Sequence, residues 1–296
     1  MKIGIAGTGK MGTAICSRLI SLNYEVHVWN RTQANAKAAI DLGAKWASSP
    51  QELISSVDVV LSLLANEQAL DEVYFSSNGL VSKDINHKTI VEMSTISPEK
   101  HATLASKVAA AHAEYLECPV GGSIGPAKEG KLIGFVGGPQ ATFERLNPLL
   151  SQMCKRVEHI GNYGSGSTMK LAINLPLMVY WQTLSEALTL IQPLGLDPAR
   201  VIDIFSDTSG GPNVLKARGA FVAQTIKDGH AKSVNVSMHT VLKDVQTMVN
   251  HAQSLNRTLP LTQTALDTFK DSSAKGLENA DCCEHIVWWL KEGSKA

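Results

Sequence analysis

Neither sign of charge is in excess in this chain of 296 residues. Lys plus Arg total 27 and Asp plus Glu total 27, with 15 of each sign before residue 160 and 12 of each after it. Nucleic acid or an anionic membrane as the main partner would need a positive field, so the balance argues against both. Charge as a whole is also sparse: 18% of residues, against ~25% in an average soluble protein. Cysteine is scarce too. The five residues Cys16, Cys118, Cys154, Cys282 and Cys283 are odd in number and form no C-x-x-C pair. A zinc site or disulfide framework is therefore not expected, and reduced thiols in a cytoplasmic protein are. The nine histidines include no H-x-x-x-H or H-E-x-x-H pair, so no metal site is expected. No apolar run reaches the ~20 residues of a membrane span. The longest, over 171–194, is interrupted by Asn174, Pro176, Gln182, Glu186 and Gln192. The first residues lack the apolar stretch and small-residue cleavage site of a secretory signal.

What is present is a 44% hydrophobic composition, enough for a sizeable core in one or two domains. The first half alternates between two periods. Short apolar runs over 2–6, 25–29, 57–64, 89–93, 115–118 and 132–136 read as strands. Helical spacing over 11–22, 32–42 and 68–75, and the N-cap, proline and acid of Ser97-Pro98-Glu99, read as intervening helices. The run over 57–64 is apolar almost throughout, as in a parallel strand buried on both faces. This alternation predicts an α/β domain with helices on both faces of a mostly parallel sheet.

Near Gly161 the pattern changes, and past Gly164 no strand is expected. A long helix over 169–194, kinked where Pro176 removes a backbone donor, leads into helices over 199–205, 214–225, 238–255, 261–270 and 282–290. The predicted organisation is an N-terminal α/β domain over 1–161, joined by the long helix to an all-α C-terminal domain over 162–296.

Gly7-Thr8-Gly9-Lys10-Met11-Gly12 is a G-x-G-x-x-G loop. It directly follows a predicted strand and opens a helix, the context of a dinucleotide site. The first glycine permits the turn, the second lets backbone approach a pyrophosphate, and the third lets helix and strand pack closely. The pyrophosphate would sit on the helix N-terminus. At the end of the second strand, NAD-specific domains place Asp or Glu on the ribose hydroxyl. This chain has Asn30-Arg31-Thr32 there. No carboxylate repels a 2′-phosphate, Arg31 can form charge-assisted bonds with one, and Asn30 and Thr32 can donate further. NADP(H) is therefore the expected cofactor. Leu64, Ala65 and Thr95 follow later strands and should line the crevice at the sheet's carboxyl edge.

Three further segments carry a resemblance: Glu117-Cys118-Pro119-Val120-Gly121-Gly122-Ser123, running on to Ala127; Gly164-Ser165-Gly166-Ser167-Thr168-Met169-Lys170 with Asn174; and Lys243-Asp244. With the glycine loop they resemble the β-hydroxyacid dehydrogenase (3-hydroxyisobutyrate dehydrogenase-like) family, nearest its glyoxylate and succinic semialdehyde reductase branch. The resemblance implies an N-terminal Rossmann-type NADP-binding domain, an all-α C-terminal domain and a cleft between them. It implies Lys170 as catalytic lysine and Asn174 as its assistant, Gly121, Gly122 and Ser123 as the substrate-binding loop, and Lys243 as a cation at the cofactor. The residues fit: positions i and i+4 share a helix face, and a lysine ammonium can stabilise a developing alkoxide and protonate it. It further implies a homodimer or tetramer through the helical domain. The family commonly has Ser where Gly121 stands, and Val234 and Pro176 are also unusual, which points to a reshaped cleft.

The function expected is NADPH-dependent reduction of a small aldehyde acid, of the glyoxylate or succinic semialdehyde type, with Lys170 as general acid/base. Imine reduction on the same fold is one alternative, but the presence of Lys170 counts against it. A non-catalytic NADP-binding sensor is another; it would need Gly7, Gly9, Gly12 and Arg31 but neither Lys170 nor Asn174.

Overall fold

A computed structural model describes residues 1–293. The chain divides into two compact units, Met1–Lys170 and Leu171–Ala296. The first contains β1 Lys2–Ala6, α1 Lys10–Ser21, β2 Glu25–Trp29, a 3-10 turn Gln33–Ala36, α2 Lys37–Asp41, β3 Lys45–Trp46, α3 Pro50–Ser56, β4 Val59–Ser62, α4 Glu67–Phe75, β5 Thr89–Glu92 and α5 Pro98–Ala110. There follow β6 Glu114–Glu117, β7 Val120–Gly121, α6 Ile124–Lys128, β8 Leu132–Gly137, α7 Gln140–Met153, β9 Cys154–Gly161 and the start of α8 Ser165–Ile191.

These strands form one sheet in the order β3-β2-β1-β4-β5-β6-β8-β7, with β9 on β8. Strands β1 to β6 run parallel, β8 is antiparallel to β6 and β7, and β9 is parallel to β8. Along each strand, successive side chains point to opposite faces of the sheet. Ile3, Ile5, Val59, Leu61, Val91 and Leu116 enter one apolar layer with Ile15 and Leu19 of α1 and Leu146 and Leu150 of α7. The residues between them, Val60, Ile90 and Tyr115, enter the other with Leu53 of α3, Leu70 of α4 and Leu104 of α5. The sheet is thus covered on both faces, as the apolar run over 57–64 predicted.

Several elements depart from the sequence reading. The helix expected over 32–42 is a 3-10 turn followed by the short α2, and Thr32 makes no side-chain cap to start a regular helix. β3 has two residues, too few to show a period. β9 is half exposed and carries Lys155, Arg156 and Glu158, so it does not look like a buried strand. α7 was not among the expected helices, although Thr142, Leu146, Leu149, Leu150 and Met153 are buried at helical spacing.

The second unit contains the rest of α8, a 3-10 turn Gln192–Leu194, α9 Pro198–Ser206, α10 Asn213–Asp228, α11 Met238–Ser254, α12 Pro260–Ser272 and α13 Glu284–Trp288. No strand occurs among its described residues. Pro176 lies inside α8 without ending it. Asp197 caps α9 by accepting from the amides of Ala199 (2.9 Å) and Arg200 (3.3 Å). Its core gathers Trp181, Leu184 and Leu188 of α8 with Val222, Val245, Leu266 and Phe269. His285 is buried there between Gln182 Oε1 (2.6 Å) and Ser272 Oγ (2.9 Å). No helix among the described residues is long and apolar enough to cross a membrane.

Candidate active site

The carboxyl ends of five strands lie side by side. Trp29, Ala6, Ser62, Glu92 and Glu117 pair in one row across β2, β1, β4, β5 and β6. Strand order reverses between β1 and β4, the place where open α/β sheets bind ligands. The glycine loop leaves β1 there. Gly7 has a φ of +103°, and a side chain on it would collide with the Leu63 carbonyl. A side chain on Gly12 would collide with the carbonyl of Gly7, so α1 packs against the loop itself. Gly9 is different: a Cβ there would meet nothing within 4 Å. Two glycines are needed by the fold, and the third faces open space at the N-terminus of α1. That is the shape a pyrophosphate requires, so the loop fits a dinucleotide.

Thr8 is buried and its amide donates to Asn30 Oδ1 (3.1 Å), while Asn30 Nδ2 donates to the Thr32 carbonyl (2.9 Å). Asn30 therefore ties the end of β2 to the glycine loop. Its oxygen and one of its two N–H groups are used in these bonds. The Arg31 side chain is 78% exposed and lies 3.4 Å from Glu72 Oε2. Such an exposed pair is worth about 0–1 kcal/mol, so a phosphate can displace it. Lys10 is exposed, and Met11 packs on the core below the loop.

Beyond β4, the Leu64 amide donates to Ser94 Oγ (2.7 Å). The Ser94 amide donates to Glu92 Oε1 (2.8 Å), and Tyr74 Oη donates to Glu92 Oε2 (2.8 Å). Burial pushes the Glu92 carboxyl upward, against the hydrogen bonds from Ser94 and Tyr74. These contacts fix Leu64 at the edge; Ala65 and Thr95 follow the ends of β4 and β5. Sequence reasoning missed Glu92, and likewise the fully buried Glu117 at the end of β6. The available signal was a carboxylate directly following two apolar residues at the end of each strand, Ile90-Val91 before Glu92 and Tyr115-Leu116 before Glu117.

Gly121 ends β7, and Ser123 is exposed at the start of α6 with its hydroxyl unused as a cap. Lys170 lies in the second turn of α8 and is partly exposed; Asn174 follows one turn later and is buried. In the second unit, Lys243 Nζ lies 2.8 Å from Asp244 Oδ1. Tyr180 lines an 800 Å³ groove with Ile173, Pro176, Leu177 and Phe205, and its hydroxyl donates to the Gly210 carbonyl (3.1 Å). Trp181 instead belongs to the core, with the Arg218 guanidinium 5.5 Å from its ring. The structure thus gathers the glycine loop, Asn30, Arg31, Thr32, Leu64, Ala65 and Thr95 along one sheet edge. Gly121 to Ser123 and Lys170 are carried by the same unit, Asn174 and Lys243 by the other. All five cysteines are buried free thiols.

Residues 2–161 match the sequence profile described as the NAD binding domain of 6-phosphogluconate dehydrogenase. Residues 164–289 match the profile of the NAD-binding region of NADP-dependent 3-hydroxyisobutyrate dehydrogenase. The 2-hydroxy-3-oxopropionate reductase of Escherichia coli is 30% identical, over 95% of this chain and 94% of its own length. A chloroplastic glyoxylate/succinic semialdehyde reductase of Arabidopsis thaliana is 27% identical, over 95% of this chain and 77% of its own. Among solved structures, Psf3 in complex with NADP+ and 2-OPP superposes with a TM-score of 0.85 at 27% identity, covering 96% of this chain and 98% of that one.

Proposed function

The chain belongs to the β-hydroxyacid dehydrogenase family of NAD(P)-dependent oxidoreductases, and from that premise we propose that it reduces a small aldehyde acid with NADPH. The observation that carries the reading is the pair Lys170 and Asn174, one turn apart on one face of α8 directly after its glycine-rich start. A dinucleotide-binding protein without chemistry needs neither residue.

Gly7, Thr8, Gly9 and Gly12 would hold the pyrophosphate, with Lys10 and Met11 supplying first-turn backbone of α1. Arg31 and Thr32 would take the 2′-phosphate, and Lys243 would add a cation toward the dinucleotide. When bound, the reduced nicotinamide supplies the hydride that reaches the carbonyl carbon. The protein must supply the proton. The Lys170 ammonium donates it to the carbonyl oxygen as negative charge develops there, and Asn174 orients that oxygen by hydrogen bonding. The amides of Gly122 and Ser123 and the Ser123 hydroxyl hold the substrate carboxylate. A homodimer through the helical unit belongs to the same reading; Leu190, Leu194 and Ile204 leave large apolar surface exposed there, and sedimentation tests it.

The test is NADPH oxidation against aldehyde acids, uncharged ketones and cyclic imines. Glyoxylate or succinic semialdehyde is expected to turn over fastest. Lys170→Ala should lower kcat by about 10²- to 10⁴-fold, the usual share of a general acid, with NADPH still bound. Preference for an imine, or wild-type turnover without the lysine, would refute the reading.

A further inference from the structure

Lys170 stands in the second turn of α8, so its position depends on what holds the first turn. The first four amides of a helix have no partner within it. Here the Ser165 amide donates to the Asn162 carbonyl (3.0 Å) and Ser167 Oγ donates to the Ile96 carbonyl (2.5 Å). The Gly166 amide donates to Glu117 Oε1 (2.8 Å), across 49 residues of sequence. The amides of Gly164 and Ser167 also favour the ionised form of this carboxyl. Glu117 is 0% exposed, and the surrounding backbone is cleared for it. A side chain on Gly137 would run into Oε1, and one on Gly166 would come within 3.2 Å of it and strike the Phe135 carbonyl.

We propose that Glu117 is a positioning residue for the reduction: its buried carboxyl serves as the N-terminal cap of α8 and so fixes the lysine one turn along. The inference rests on the reading of Lys170 as proton donor.

Glu117 Oε2 faces His101 Nε2 of α5 at 3.1 Å. Neither atom has a well-angled hydrogen bond among the described residues, so one shared proton would satisfy both. His101 Nδ1 lies 2.8 Å from Tyr115 Oη. Tyr115 of β6, Cys118 just after it and Tyr163 before α8 are the other titratable groups that feel the Glu117 charge. Burial pushes the carboxyl up to about 7, against the pull of the three amides. Its ionised form accepts amide protons more strongly than its neutral form. The grip on α8 therefore strengthens as pH rises toward neutrality, and the fraction of well-placed Lys170 rises with it.

The experiment uses the full chain with NADPH and the fastest aldehyde acid. Glu117→Gln keeps an acceptor oxygen but no charge. It should lower kcat about tenfold, the worth of replacing a charged acceptor by a neutral one, with both KM values within about twofold. It should also flatten the rise of kcat from acid to neutral pH. Amide exchange at Gly166 and Ser167 should quicken in the same variant. Glu117→Ala should do more of both; should it fail to fold, the Gln variant decides alone. Wild-type kcat and pH profile in Glu117→Gln, alongside an inactive Lys170→Ala, would overturn the positioning role and leave the lysine standing. Full activity in Lys170→Ala would remove the lysine reading and this inference with it, while faster exchange at Gly166 would still show the cap.

Discussion

Replacing either member of the buried Glu117–His101 pair should change how stability depends on pH, and in opposite directions. Burial raises Glu117 from 4.5 to about 7 and lowers His101 from 6.5 to about 3. A carboxyl raised on folding contributes stability that is complete below its unfolded value and is lost as pH rises through the folded one. A histidine lowered on folding contributes stability that is present above its unfolded value and is lost as pH falls through the folded one. Between pH 6.5 and 4.5 the folded pair holds its proton on Glu117 and the unfolded pair holds one on His101. The proton counts match, so the pair adds no slope in that window. Glu117→Gln removes the compensation, and His101 alone then costs about 1.4 kcal/mol per pH unit, or roughly 3 kcal/mol across the window. His101→Gln leaves Glu117 alone, and stability should instead rise by roughly 3 kcal/mol as pH falls from neutrality to the unfolded carboxyl value. Urea midpoints across this range, taken as differences from wild type at each pH, remove the separate effect of His285, which burial lowers to about 4. Wild-type slopes in both variants would show that neither group titrates differently in the fold.

Gly12→Ala should destabilise by about 1–3 kcal/mol, because its methyl group meets the Gly7 carbonyl, whereas Gly9→Ala should stay within about 0.5 kcal/mol and lose NADPH affinity. Thermal melts with and without NADPH separate the two, and equal destabilisation would refute the assignment of glycine roles. Arg31→Ala should weaken NADPH by about 10- to 100-fold, as expected on losing hydrogen bonds to a charged group, and leave NADH nearly unchanged. Equal loss for both, by fluorescence titration, would separate Arg31 from the 2′-phosphate. Gly121→Ser should fold normally, since a Cβ there meets the Phe135 ring at an ordinary 3.5 Å. Its KM should drop a few-fold for an aldehyde acid and not for an uncharged ketone, if the added hydroxyl reaches a carboxylate.

Much of this protein was legible because the signals are local in the chain. Lys2–Ala6, the glycines that follow and α1 form one continuous stretch, so a motif could be read with its context. The 3.6-residue period likewise put Lys170 and Asn174 on one helix face. Even the charge balance, which argued against polyanionic partners, is a property of composition alone. Tertiary structure decided what depends on partners far along the chain. Asn30 stands beside Arg31 in the sequence, and only the fold ties it to the glycine loop, its Oδ1 accepting from the Thr8 amide while its Nδ2 donates to the Thr32 carbonyl. Glu117 read as one letter of a motif, and only folding sets it against Gly166, 49 residues on, and against His101. Periodicity reports which face of an element is buried. It carries no information on which buried polar groups meet across the sheet, and the pKa of a carboxyl is set by those neighbours and by its distance from water.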